Sequence, residues 1–192
     1  MIHISIEGID GVGKTTASQK VAKHFGYFFV EKPLHFLFDS DESFENYIRI
    51  RDFVNSSSNR LFTSWFYGLS NIFLFEKFGD RNIVTDRHLL SNYCWSGTHD
   101  NQDVYDLLVK KLGIPNFTFI LYANEKTVES RILGRDVNDS DVEKTKFIPE
   151  AYKKMKSFCE KYEMPHLLID TTNLNQDEVA NIIIQTINEK VI

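Results

Sequence analysis

The sequence has too little of several things to belong to the more specialised classes of protein. Two cysteines among 192 residues, Cys94 and Cys159, are too few for a disulfide framework and too far apart for a metal knuckle. Two reduced, partly buried thiols are expected. Four prolines and nine glycines exclude a collagen-like or low-complexity chain. No apolar run approaches the roughly 20 residues that a membrane span needs. Met1 leads at once into what reads as a core strand, so neither a signal peptide nor a membrane partner is expected and the location inferred is cytoplasmic. Basic residues are also short: 22 Lys and Arg face 27 Asp and Glu, a net charge of -5. That balance argues against a broad grip on a nucleic-acid backbone, and long DNA or RNA is not expected as a partner.

What is present fits one globular domain over residues 1–192. Short β-rich apolar runs alternate with longer stretches of helical period, the pattern of βαβ units and a parallel sheet covered on both faces. Strands are expected at Ile2–Glu7, Tyr27–Glu31, Asn82–Thr85, Phe117–Tyr122 and His166–Asp170. Their Ile, Val, Phe and Leu content suits strands buried on both faces. Helices are expected at Lys14–Phe25, Ser43–Asn55, Asn59–Phe78, Asp103–Leu112, Glu125–Leu133, Pro149–Tyr162 and Gln176–Lys190. The run from Ser56 to Asn59 reads as a helix break with a capping residue. Sixteen phenylalanines, concentrated between Phe25 and Phe78, suit core packing or the lining of a pocket. The polar stretch from Gly134 to Lys146, GRDVNDSDVEKTK, offers little to a core. It is expected to be a surface loop, either a solvated linker or a lid over about residues 134–148.

The chemistry is carried first by Gly8-Ile9-Asp10-Gly11-Val12-Gly13-Lys14-Thr15, which fits G-x-x-x-x-G-K-[ST] between a strand and a helix. Glycines let the backbone turn its N–H groups inward to cradle phosphate oxygens, and the helix amino end adds its dipole. Lys14 supplies a point charge for the outer phosphates, and the Thr15 hydroxyl suits a Mg²⁺ ion that bridges them. Gly8, Gly11, Val12, Gly13, Lys14, Thr15 and Thr16 are therefore expected to bind a nucleoside triphosphate. A second metal-binding carboxylate is expected at the end of another buried strand, and Asp86 fits, after Ile83, Val84 and Thr85. Arg87 follows, placed to meet a phosphate or its developing charge. The alternative is a helix-capping Asp beside a surface Arg.

With IEGIDGVGKTT at the start and TDRHLLSNYCWSG in the middle, the chain resembles the thymidylate kinases, within the wider group of nucleoside monophosphate and deoxynucleoside kinases. The likeness extends to FTFILYANEKTVESRI, similar to that family's fourth strand and the helix leading to its lid. It implies a P-loop kinase fold, an α/β sandwich of three layers with a five-stranded parallel sheet, flanking helices and a small lid. It implies that Asp10 faces the acceptor sugar, that Asp86 serves the Mg²⁺, and that Arg87 holds the acceptor phosphate. By the same likeness Phe62 stacks on the base and Arg49 or Arg51 binds phosphate. Arg131 and Arg135 are then the lid arginines that close on the transferring phosphoryl. Gly11 stands where some relatives carry an arginine, so the positive charge is expected from the lid.

Two departures matter. The glycines of the family's REPGGT-like loop are missing around Glu31, Lys32 and Pro33, and the arginine that reads the thymine edge, expected four residues after Phe62, stands as Phe66. Transfer of the γ-phosphoryl group of Mg·ATP to a deoxynucleoside monophosphate, with dTMP as the leading acceptor, is the expectation. The alternative is a deoxynucleoside kinase in which Glu31 acts as general base for a 5′-hydroxyl. A nucleotide-dependent switch is a third reading, disfavoured because no guanine-reading NKxD motif is present. Family members commonly pair through helices, so a homodimer through the Trp65 to Phe78 stretch is also considered.

Overall fold

A computed structural model describes residues 1–40, 43–136 and 139–192. Five strands, β1 (His3–Glu7), β2 (Phe28–Glu31), β3 (Ile83–Asp86), β4 (Phe117–Tyr122) and β5 (His166–Asp170), form one parallel sheet in the order β2-β3-β1-β4-β5. Every pairing is parallel, and the register sets Ile6 and Glu31 beside Asp86 at one end. The chain therefore reverses its direction of growth on either side of β1. In such sheets ligands bind outside the strands' carboxyl ends at that switch point.

The helices are α1 (Lys14–Phe25), α2 (His35–Phe38), α3 (Glu45–Asn55), α4 (Arg60–Phe78), α5 (Leu89–Ser96), α6 (Gln102–Leu112), α7 (Glu125–Leu133), α8 (Ile148–Lys161) and α9 (Gln176–Lys190). α1 packs with α9, while α5 joins α4 and α8 in a second group. Between them the central strands lose both faces to the interior: all of β1 and β3 is buried, and Ile4, Ile6, Ile83 and Val84 are fully enclosed. The edge strands depart from the expected burial on both faces. Phe28 of β2 and Leu168 of β5 are 45% and 57% exposed, because nothing among the described residues continues the sheet beyond them.

Local chemistry explains most boundaries. Asn59 caps α4 by accepting the Phe62 N–H at 3.1 Å, as the serine-rich break suggests. Asn175 and Glu178 close a reciprocal capping box at the start of α9. Two helices escape the sequence pattern. α2 is a single turn. α5, LLSNYCWS, buries residues on nearly every side and so lacks an amphipathic period.

The polar stretch after α7 also differs from expectation. Val137 and Asn138 lie outside the described residues, but Ser140–Phe147 forms a 3₁₀ helix. In that tighter helix residues three apart eclipse. Val142 packs on the core, and Thr145 and Ile148 are buried, so a stretch that looks wholly solvated has an inward edge. No helix among the described residues is long and apolar enough to cross a membrane. The outward face of α4 carries exposed Leu61, Trp65, Leu69 and Ile72.

Candidate active site

The β1–α1 loop is forced into shape by its glycines. Gly8 has φ +137°, and a Cβ there would meet the Leu121 carbonyl oxygen at 2.4 Å. Gly11, at φ +83°, lies so close to α7 that a Cβ would press on Ile132 and Val128 at 3.0 and 3.1 Å. Neither position accepts an L side chain without strain. The loop thus turns tightly and delivers Lys14 and Thr15 to the first turn of α1.

Lys14 is buried and donates to the Ile9 carbonyl at 2.6 Å, with the Asp10 carboxylate 3.7 Å away. Burial, and then the nearby Arg87 charge, bring its pKa down to about 8. Thr15 Oγ1 donates to Asp86 Oδ2 at 2.5 Å. The other carboxylate oxygen, Asp86 Oδ1, is buried without a hydrogen-bond partner. A buried anionic oxygen without a donor calls for a cation, and a hydroxyl beside a carboxylate is a hard oxygen set. Thr15 and Asp86 are therefore the residues that could hold a divalent ion such as Mg²⁺.

Arg87 links the loop to β3. Its Nη2 donates to Asp10 Oδ1 at 2.6 Å, and its Nη1 donates to the Gly8 carbonyl at 2.9 Å and to Ser91 Oγ at 3.2 Å. The backbone at Arg87 sits in the left-handed region, φ +74°, a costly conformation for a long side chain. The N–H bond to Ile6 and the three guanidinium bonds hold it there. Burial opposes charge on both partners. Asp10, Asp86 and Glu7 nevertheless hold Arg87 above its ordinary pKa, and Arg87 with Lys14 holds Asp10 well below the usual carboxylate range.

Behind this pair sits Glu7, which the sequence reading passed over. It is fully buried and accepts from Ser91 Oγ at 2.5 Å, from Ser5 Oγ at 2.9 Å and from the His88 N–H at 2.8 Å. Burial raises its pKa against the pull of those donors and of Arg87.

Two cavities meet at Asp10, Asp86 and Arg87. The first, about 990 Å³, is lined by the loop from Asp10 to Ala17 together with Glu31, Arg131, Arg135 and the β5–α9 connection from Thr171 to Asp177. The second, about 730 Å³, is lined by α3, α4 and α5 through Tyr47, Arg51, Tyr67, Asn71, Asn92 and Trp95, with Arg60 and Lys144. Lys32 borders both.

Most residues singled out from the sequence lie along these cavities, but not all. Arg51 lines the second cavity, while Arg49, two positions earlier on α3, is exposed and does not. Phe62 is 42% exposed with its ring edge-on to Phe53, outside the cavity lining. Phe66 stacks over Phe38 and is also outside it. The aromatic rings along this wall are those of Tyr67 and Trp95. The helical repeat turns positions 62 and 66 away from the face that carries Tyr67 and Asn71. Arg131 donates to the Thr171 hydroxyl and carbonyl at 3.1 and 2.7 Å, latching α7 to the end of β5. α7 ends at Leu133, so Arg135 lies past the helix, 3.8 Å from Asp139, instead of sharing a helix face with Arg131. The TTNLNQD segment after β5 was missed; its place at a strand's carboxyl end was the available signal.

The strand order, the phosphate loop and the paired cavities give the chain the fold of a P-loop kinase, a five-stranded parallel sheet flanked by helices. The comparisons with known proteins agree with that class. A probable thymidylate kinase of Methanocaldococcus jannaschii is 25% identical over 190 residues, covering 95% of this chain and 94% of that one. Among solved structures, a thymidylate kinase from Candida albicans superposes with a TM-score of 0.71 at 15% identity, covering 98% of this chain and 91% of that one. A deoxyadenosine kinase from M. mycoides with bound dCTP gives 0.64 at 20% identity, over 98% and 100%. No family model matches the sequence.

Proposed function

We propose that the protein transfers the γ-phosphoryl group of Mg·ATP to the phosphate of a deoxynucleoside monophosphate, with dTMP as the leading acceptor. The observation that carries this reading is the junction of two cavities at Asp10, Asp86 and Arg87. The first holds the loop amides, Lys14 and Thr15, and suits the triphosphate. The second suits the acceptor, and Lys32, Arg51, Arg60, Arg87 and Lys144 border it. Asp10, Asp52, Asp86 and Asp139 line it too, with Arg87 and Arg51 paired to Asp10 and Asp52, so the cations exceed the carboxylates by one, a balance that suits an acceptor with its own negative charge. Glu31, the general base that a nucleoside hydroxyl would need, lines the triphosphate cavity and not the second one.

In this reading the chain's own residues position and neutralise. The loop amides and Lys14 hold the β- and γ-phosphates. Arg87, fixed by Asp10, Gly8 and Ser91, presents its guanidinium where the two anions approach. A Mg²⁺ ion held by Thr15 and Asp86 would supply Lewis acidity and offset charge on the phosphates. Arg131 stands beside the triphosphate, anchored by Thr171. An acceptor phosphate is already ionised at neutral pH, so no strong base is required. Asp10 is kept anionic by Arg87 and Lys14, which suits an acceptor for a sugar hydroxyl.

The test is ADP release from Mg·ATP with a panel of nucleosides and monophosphates. Turnover with monophosphates, and a Glu31→Gln variant near wild type, would support the reading. A loss of about 10² or more in Glu31→Gln, with nucleosides as the productive acceptors, would replace it with the nucleoside kinase. ADP release independent of any acceptor would point to a nucleotide switch.

A further inference from the structure

One buried polar group in the acceptor cavity has no work in the mechanism above. Asn71 on α4 is 6% exposed and lines that cavity beside Tyr67 and Trp95. Its amide oxygen accepts from Asn92 Nδ2 on α5 in a long contact of 3.4 Å. Its amide nitrogen makes no hydrogen bond among the described residues and is not sealed from solvent, so it can donate to a ligand in the cavity that Asn71 lines.

The polarity of this pair is set from behind. Asn92 Nδ2 also faces the Ser64 carbonyl at 3.2 Å, a group that can only accept. On its other side the Tyr105 hydroxyl donates to Asn92 Oδ1 at 3.0 Å. Turning the Asn92 amide over would set two acceptors, Asn92 Oδ1 and the Ser64 carbonyl, against each other. With Asn92 fixed, Asn71 must show it the oxygen, which leaves the two N–H bonds of Asn71 Nδ2 for a ligand in the cavity that Asn71 lines. Asn71 is thereby a donor-only group toward whatever occupies that end. Phe66, on the same helix, stacks on Phe38 outside the cavity and offers no donor there.

We propose that Asn71 sets base specificity by donating to a carbonyl on the acceptor's base, selecting keto bases such as thymine or uracil over amino bases such as cytosine. This deepens the proposed monophosphate kinase reading and rests on it for the acceptor's place in the second cavity. An exocyclic amine in the same position would oppose donor to donor, and such mismatches discriminate more strongly than a missing methylene.

The test compares kcat/KM for dTMP and dCMP, and their affinities by quenching of Trp95 fluorescence, in wild type, Asn71→Asp and Asn71→Ser. Wild type should favour dTMP. Asn71→Asp, an acceptor only, should narrow or invert the ratio by about tenfold or more, from the usual cost of an unpaired buried polar group. Asn71→Ser introduces no charge, and its hydroxyl donates or accepts, so the ratio should narrow there too. General damage to the fold lowers both substrates together and leaves the ratio in place. If Asn71→Asp does not fold, Asn71→Ser decides. An unchanged ratio in a folded variant, or a wild type with no keto preference, overturns the assignment. If the protein phosphorylates nucleosides and not monophosphates, the proposed function fails separately, and the same ratio is then read with thymidine and deoxycytidine.

Discussion

Arg87 Nη2 and Asp10 Oδ1 stand 2.6 Å apart, joining the end of β3 to the middle of the phosphate loop. The same guanidinium reaches the Gly8 carbonyl and the Ser91 hydroxyl, so three acceptors, two on the loop and one on α5, are registered on one planar group. Lysine keeps the charge but has no fork to divide among three acceptors. Arg87→Lys is expected to lower kcat/KM by about 10² or more with little change in circular dichroism. Activity near wild type would mean that charge alone suffices.

Glu7 acts on Arg87 through Ser91, which donates to Glu7 and accepts from Arg87. Glu7→Gln should therefore lower turnover by about tenfold, the size of a lost hydrogen bond to a charged group. Combined with Arg87→Lys it should add much less than its single effect, since both changes disturb one network. A strictly additive double-mutant cycle would show that Glu7 only supports the fold.

Lys14 has a pKa brought down to about 8, so part of its charge is absent at pH 8.5. Triphosphate binding favours the charged form and raises that pKa. Binding should then draw protons from solution at pH 8.5, visible as a dependence of calorimetric heat on the buffer's ionisation enthalpy. Affinity should fall as the pH is raised through about 8. Lys14→Met should abolish the uptake.

Gly11 leaves no room for a side chain against α7. Gly11→Ala combines a left-handed backbone with contacts near 3.0 Å to Ile132 and Val128, and should cost about 1–3 kcal/mol in urea unfolding. An arginine there, as some relatives of the thymidylate kinases carry, would need α7 to move. Wild-type stability of Gly11→Ala would show that α7 yields freely.

His3 is buried against His88 and Phe75, and burial lowers its pKa to about 3. The unfolded chain binds a proton near pH 6.5 that the folded chain refuses. This part of the stability is present above about pH 6.5 and is lost as the pH falls toward 3. His3→Gln removes the titration, so the gap in urea midpoint between wild type and variant should shift against wild type from pH 6.5 to pH 4. A constant gap would contradict it.

How much of this was legible in the sequence follows the range of the forces. The phosphate loop, six of the seven expected helices to within one residue, and the Asn59 cap depend on contacts within a few positions, and so they could be read directly. Asp86 and Arg87 could be placed because a buried apolar run ending in polar residues has to leave the sheet at its carboxyl edge. α5 was hidden because burial on all sides erases the period that reveals a helix.

The sequence alone determined a parallel α/β sheet with a phosphate-binding turn at its centre, because glycine freedom, strand hydrophobicity and helix capping are local properties. Only the tertiary structure decided which side chains share a cavity. A helix rotates each successive residue by about 100°; that rotation took Phe62, Phe66 and Arg49 out of the wall of the second cavity and brought Tyr67, Asn71 and Arg51 into it. Glu7 and Thr171 gained their roles in the same way, through partners 84 and 40 positions distant that no local pattern announces.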